Sequence, residues 1–186
     1  MKTSNYNYWF GSIFMAMLGF ASCSDEYELP EHNLDVEFKY ELTCSEVFLK
    51  YATPQVTITD GKGLQQTLTI EDNMWTGSGH KTWTQSVHYD SLNVSSTMSV
   101  TYLPKVGVTY QDELDFDNVH YLSCLISVKE DGDGRRNNYT IIPDFPAKSD
   151  VTASALKTYI EGLGSKTTTR GGSVDIKGEI TKIEND

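Results

Sequence analysis

Between Val36 and Cys44 the side chains alternate without a break. Val36, Phe38, Tyr40, Leu42 and Cys44 stand on one parity; Glu37, Lys39, Glu41 and Thr43 stand on the other. Successive side chains of a strand point to opposite faces, so this pattern dictates a strand with one buried and one wetted face. Such a strand needs neighbours at its edges and a second layer over its apolar side. The rest of the chain supplies candidates. Gln55 to Thr59 alternates again and stops at Asp60-Gly61-Lys62-Gly63, a hairpin-type turn. Leu64 to Ile70, Trp83 to Tyr89, Met98 to Leu103, Val119 to Val128 and Tyr139 to Ile142 follow, with turn-rich breaks that include Asp131-Gly132-Asp133-Gly134.

One segment departs from this period. From Val151, apolar residues recur at Ala155, Leu156, Tyr159, Ile160 and Leu163, the spacing of an amphipathic helix over about 151–163. Ser149 or Asp150 is the expected start cap, and Gly162 and Gly164 the expected close. A last strand, Val174 to Ile183, is expected at a sheet edge, with the threonine-rich Arg170-Gly171-Gly172 stretch before it as a loop. Short strands at this spacing predict a mostly β chain. The expected body is an antiparallel β-sandwich of immunoglobulin-like or transthyretin-like type, with one C-terminal α-helix and a final edge strand. Residues 34–186 have the size of one domain with a real core.

The N-terminus reads as an export leader over residues 1–22. Lys2 supplies the charge, Trp9 to Phe20 the apolar stretch, and Ala21-Ser22 the small residues at a cleavage site. That stretch is 12 residues long, whereas a membrane-spanning helix needs about 20. The run Leu18-Gly19-Phe20-Ala21-Ser22-Cys23 resembles a lipobox, which implies acylation of Cys23 as the mature N-terminus. An ordinary secretory signal with a nearby cysteine is the alternative. Residues 23–33 are acidic, contain Pro30 and have no hydrophobic period, so they read as a lipidated tether. Ser24 after the cysteine and the following Asp25-Glu26 resemble sorting signals for an outer membrane and for the cell exterior, with a plain solvated spacer as the alternative. The leader holds Lys2 and no acid, so its removal takes the net charge from −11 to −12. An anionic surface repels phosphate backbones, and no nucleic-acid partner is expected.

The runs from Glu46 to Thr57, from Trp83 to Asp90 and from Met98 to Lys105 resemble small outer-membrane or surface lipoproteins of Gram-negative gut anaerobes. The resemblance covers most of the mature chain on loose, structural motifs. It implies a lipid-anchored β-sandwich and no activity.

Chemistry-bearing residues are few. With Cys23 assigned to lipid, Cys44 and Cys124 both fall on inward parity. An exported chain permits a disulfide between them, worth roughly 4 kcal/mol for a loop of about 80 residues; two buried thiols are the alternative. Hydrolytic, zinc and phosphate-loop motifs are missing, so no catalytic residue, cofactor or metal is expected. His32 falls in the tether, His88 on a wetted parity, and His120 near a strand start as a structural histidine. The acids at Asp112, Glu113, Asp115 and Asp117, and from Glu130 to Asp133, read as solvated loops. For recognition the best candidates are Trp75 and His80, which flank Gly77-Ser78-Gly79: a tryptophan on a loop stacks on a sugar or anchors a protein. A Trp75 tucked over the end of the sandwich is the alternative, and Trp83 is expected in the core. Asp90-Ser91-Leu92 resembles an O-glycosylation acceptor, which makes Ser91 a candidate modification site. The expectation is a non-catalytic binding module at the cell envelope, with a glycan or an envelope protein as ligand. An accessory subunit of a pilus or transport complex is the alternative.

Overall fold

The computed structural model describes residues 33–115, 120–131, 137–143 and 150–185. The leader, Cys23, the tether to His32, Asp117, the glycines expected to turn after Asp131, and Ser149 lie outside the described residues.

The uninterrupted alternation becomes the longest strand, β1 (Asn33–Ser45), in which Val36, Phe38, Tyr40, Leu42 and Cys44 are fully buried. It occupies the middle of a four-stranded sheet, between β4 (His80–Tyr89) and β6 (His120–Asp131); β7 (Asn137–Ile142) completes the order β4-β1-β6-β7. The second sheet has the order β3-β2-β5-β8-β9, built from β2 (Ala52–Asp60), β3 (Gln65–Thr69), β5 (Val94–Pro104), β8 (Thr168–Val174) and β9 (Ile180–Asn185). Every pairing is antiparallel. The fold is therefore mostly β, two antiparallel sheets packed face to face, with β9 as a final edge strand. Val36, Phe38, Tyr40 and Leu42 of one sheet share a core with Val56, Met98, Val100 and Val174 of the other. Inside that core the Tyr40 hydroxyl donates to Ser96 Oγ at 2.8 Å, a polar tie between the layers.

At Ser45 the chain leaves the first sheet. The Ser45 hydroxyl accepts from the Phe48 amide at 3.1 Å and caps a single turn, α1 (Glu46–Leu49), which carries the chain across to β2. Two hairpins use one device. Asp60 Oδ1 accepts from the amides of Lys62 and Leu64, and Asp175 Oδ1 accepts from those of Lys177 and Glu179. Each turn closes on a glycine with positive φ, Gly63 at 78° and Gly178 at 76°.

That second hairpin corrects the expected end of the chain. Val174 to Ile183 is not one strand: it breaks at Asp175–Gly178, and the threonine-rich stretch expected as a loop is β8 itself. Its glycines mark close approach rather than a turn. A Cβ on Gly172 would fall on the Thr181 carbonyl oxygen and 2.6 Å from Ile126 Cδ1 of the opposite sheet. Arg170 is buried, with its guanidinium donating to the Thr169 and Asn185 carbonyls at 2.8 and 3.2 Å.

The helix, α2 (Ala153–Leu163), lies where its period places it, with Leu156 and Ile160 fully buried. Its start is corrected. Val151 exchanges both backbone hydrogen bonds with Leu114, at 2.9 and 2.7 Å, so the helix begins only after Thr152, its N-cap residue. Among the described residues no helix is long and apolar enough to cross a membrane.

Candidate functional site

The buried titratable groups serve the core. His120, at the start of β6, stacks on Phe48 with centroids 4.5 Å apart and meets the edge of Tyr102 at 4.8 Å. Its Nε2 lies 2.7 Å from the Tyr159 hydroxyl of α2. Burial among these rings lowers its pKa from 6.5 to about 4, so the imidazole is neutral at ordinary pH. This cluster plugs one end of the sandwich, which is the structural role expected of His120. Cys44 and Cys124 are both buried, as their parity requires, and both are free. The disulfide is a correction, and register is the reason. Cys44 sits opposite His120 and Cys124 opposite Tyr40. The two are thus displaced by four residues along adjacent strands, roughly 13 Å at about 3.3 Å per residue, against a usual Cα span of about 4.4–6.8 Å. Burial drives the Cys44 thiol far up and pushes Cys124 up to about 12, so neither offers a thiolate.

The recognition loop is tied down. Residues Asp72–Met74 form a 3-10 turn that sets Trp75 half-buried against the core, the tucked arrangement. Gly79 accepts from the Glu46 amide at 2.8 Å and Gly77 from Lys81 Nζ at 2.9 Å, while Lys81 pairs with Glu46 at 2.9 Å. His80 is exposed at the first position of β4, opposite Ser45. Trp75 and His80 therefore differ in exposure and do not present one open platform. Trp83 is in the core, as expected. Ser91 is exposed in the turn between β4 and β5. Asp112 receives Lys50 Nζ at 2.9 Å and the Tyr51 hydroxyl at 2.8 Å, and these contacts, Lys50 first, hold its carboxyl below the usual range. Among the described residues no three His, Cys, Asp or Glu side chains gather as a metal site.

The outer face of the four-stranded sheet carries a feature that residue type alone does not mark. Parity sends Glu37 and Lys39 of β1, Leu125 and Ser127 of β6, and Tyr139 and Ile141 of β7 to this side. Register aligns them in two rows: His88, Glu37, Ser127, Tyr139; and Ser86, Lys39, Leu125, Ile141. The β4–β1 half is polar. His88 Nδ1 lies 2.9 Å from Asp35, and the Ser86 hydroxyl donates to Glu37 at 2.8 Å. The β6–β7 half is apolar and open: Tyr139 is 61% exposed and Ile141 64%. Between the halves the Ser127 hydroxyl is buried and makes no hydrogen bond among the described residues. A signal for this face was present in the sequence. Ile141 and Ile142 are consecutive, and a strand cannot turn both inward; Ile142 is fully buried and Ile141 is not.

The edge at which this face ends is unusual. Sheet edges are commonly blunted by charge or proline. The edge strand β4 carries His80, Lys81 and His88, and β9 carries Lys182 and Glu184. Strand β3 is uncharged but sets Thr67 outward, hydrogen-bonded to Thr57 at 2.9 Å. Strand β7, Asn-Asn-Tyr-Thr-Ile-Ile, has neither charge nor proline and sets large apolar groups outward. Compared with known proteins, the chain matches no family model, no curated protein and no solved structure.

Proposed function

We propose that the chain is a non-catalytic envelope protein, moored through an acylated Cys23 as its lipobox-like leader implies, whose sandwich binds another protein. The observation that carries the binding role is the exposed Tyr139–Ile141 pair on an uncharged edge strand. Large apolar side chains left in water on an edge strand fit a surface that another chain covers. Covering one such side chain contributes roughly 1.5–3 kcal/mol. Strand addition at β7 would combine that gain with backbone hydrogen bonds, the recognition mode of many sheet edges. An accessory role in a surface assembly fits the same edge. A glycan held by Trp75 is less well supported, because that ring already packs against the core.

Two experiments test this reading. Cys23→Ser in the full chain should abolish acylation and move the protein out of the membrane fraction; unchanged fractionation removes the anchor. For the surface, a photo-reactive benzoylphenylalanine is placed at position 139 or 75 of the full chain in cells. Protein adducts from 139 and none from 75 are expected. Adducts from 75 alone overturn the assignment to β7.

A further inference from the structure

We infer that the end of the sandwich from which β1 starts rests on a lipid bilayer, with Leu64 and Ile176 at two hairpin tips entering the headgroup region. This contact presupposes the acylated Cys23 proposed above and adds a second, peripheral hold to that anchor.

Topology brings three features to this end. Asn33 opens β1, so the ten residues from Cys23 to His32 depart from here. At about 3.3 Å per residue they reach roughly 33 Å at most, which keeps this end near the lipid. The β8–β9 hairpin lies at the same end. Val36 stands opposite Val128 and Val128 opposite Asn138, whose side-chain amide donates to the Gly178 carbonyl at 2.9 Å. The β2–β3 hairpin joins them, because Asp60 stands opposite Ser96 and Ser96 opposite Gly172. In the order β3-β2-β5-β8-β9 the centres of the two hairpins are separated by three strand spacings, about 14 Å. The tether and the two tips thus give three points on which the body can rest.

The tip side chains suit a bilayer. Leu64 is 71% exposed and Ile176 77%. Neither is used by its turn, which closes through the aspartate carboxylate and a positive-φ glycine. Tight turns ordinarily carry small or polar residues, so an isoleucine and a leucine here gain only from being covered. Lys62 and Lys177 are exposed beside them. A lysine stem lies along apolar surface while its ammonium stays among polar headgroups. Asp60 and Asp175 turn their carboxylates to the hairpins' own amides. Among the described residues Asp35, Asp90, Glu130 and Glu179 also stand at this end, which disfavours anionic lipid and fits zwitterionic headgroups. A protein is the other occupant such tips could take; the departure of the chain toward its lipid from this same end favours the bilayer. Anchoring keeps the tips at high local concentration over the surface, so two side chains suffice.

The test uses the full acylated protein in phosphatidylcholine vesicles whose acyl chains are brominated or plain. A nitrobenzoxadiazole label is placed at Gln65→Cys or Glu179→Cys, exposed positions that leave both tips intact, or at Val106→Cys. Val106 is fully exposed beyond the far end of β5. Cys44 and Cys124 are buried and stay unlabelled in the folded chain. Emission from 65 and 179 should shift to the blue and fall about twofold in brominated vesicles, as for groups about 5–10 Å into the headgroup boundary. Emission from 106 should not change, and Leu64→Asp/Ile176→Asp should abolish the quenching at 65 and 179 with an unaltered circular dichroism spectrum. A vesicle-bound chain unquenched at either tip, quenched as strongly at 106, or quenched equally in the Asp variant would overturn the contact and leave the anchor standing. A blue shift that bromine leaves unquenched would report a protein cover and overturn it equally. A chain that does not float with the vesicles would sink both.

Discussion

His120 shows how much one side chain's surroundings decide. Its ring is covered by Phe48, Tyr102 and Tyr159, and burial lowers its pKa to about 4. A folded-state pKa below the unfolded 6.5 means that folding favours the neutral ring. The contribution is complete above about pH 6.5 and is lost as pH falls from there through 4. At about 1.4 kcal/mol per pKa unit, the swing is on the order of 3 kcal/mol. Melting temperature should therefore fall between pH 6.5 and 4, and His120→Gln should flatten that slope; an unchanged slope would place the acid sensitivity elsewhere. The sequence located this histidine near a strand start and suggested a structural role. It did not disclose the three rings, which come from α1, β5 and α2 and converge only in the folded chain.

At the scale of elements, legibility followed hydrophobic period. Strand β1 and helix α2 bury one face each, so their patterns were readable to within a few residues. Strand β8 was not, because Arg170-Gly171-Gly172 offers no alternation to read. Its glycines are set by what passes near them. Gly172→Ala should cost about 1–3 kcal/mol in chemical denaturation, since its Cβ meets a backbone carbonyl and a core isoleucine. Gly162, exposed in α2 with open space around its Cα, should behave in the opposite way: Gly162→Ala should stabilise by about 0.5–1 kcal/mol. Equal effects at the two sites would contradict β8 as a packed strand. Asp-Gly-Lys-Gly closes the β2–β3 hairpin and Asp-Ile-Lys-Gly the β8–β9 hairpin, so the same turn chemistry occurs twice; Ile176 in place of the first turn's Gly61 makes the second harder to read from sequence.

Over the whole molecule, the two inward cysteines illustrate the limit of parity. Parity placed both thiols in the core, yet whether they meet depends on the register between β1 and β6, which offsets them by four residues. Reductant should therefore leave the melting temperature unchanged, and thiol labelling under denaturing, non-reducing conditions should find Cys44 and Cys124 both reactive. Protection of the pair would refute that register.

What the chain determined by itself is the layered antiparallel class and the identity of most core residues. Alternation and helical spacing are local properties, and burying an apolar face rewards them wherever the strand is placed. Strand order, the plug around His120, the place of Arg170-Gly171-Gly172 and the exposure of Tyr139 and Ile141 were decided only in three dimensions. Each depends on which strands become neighbours and which stay at an edge, and that choice is made by packing between residues far apart along the chain.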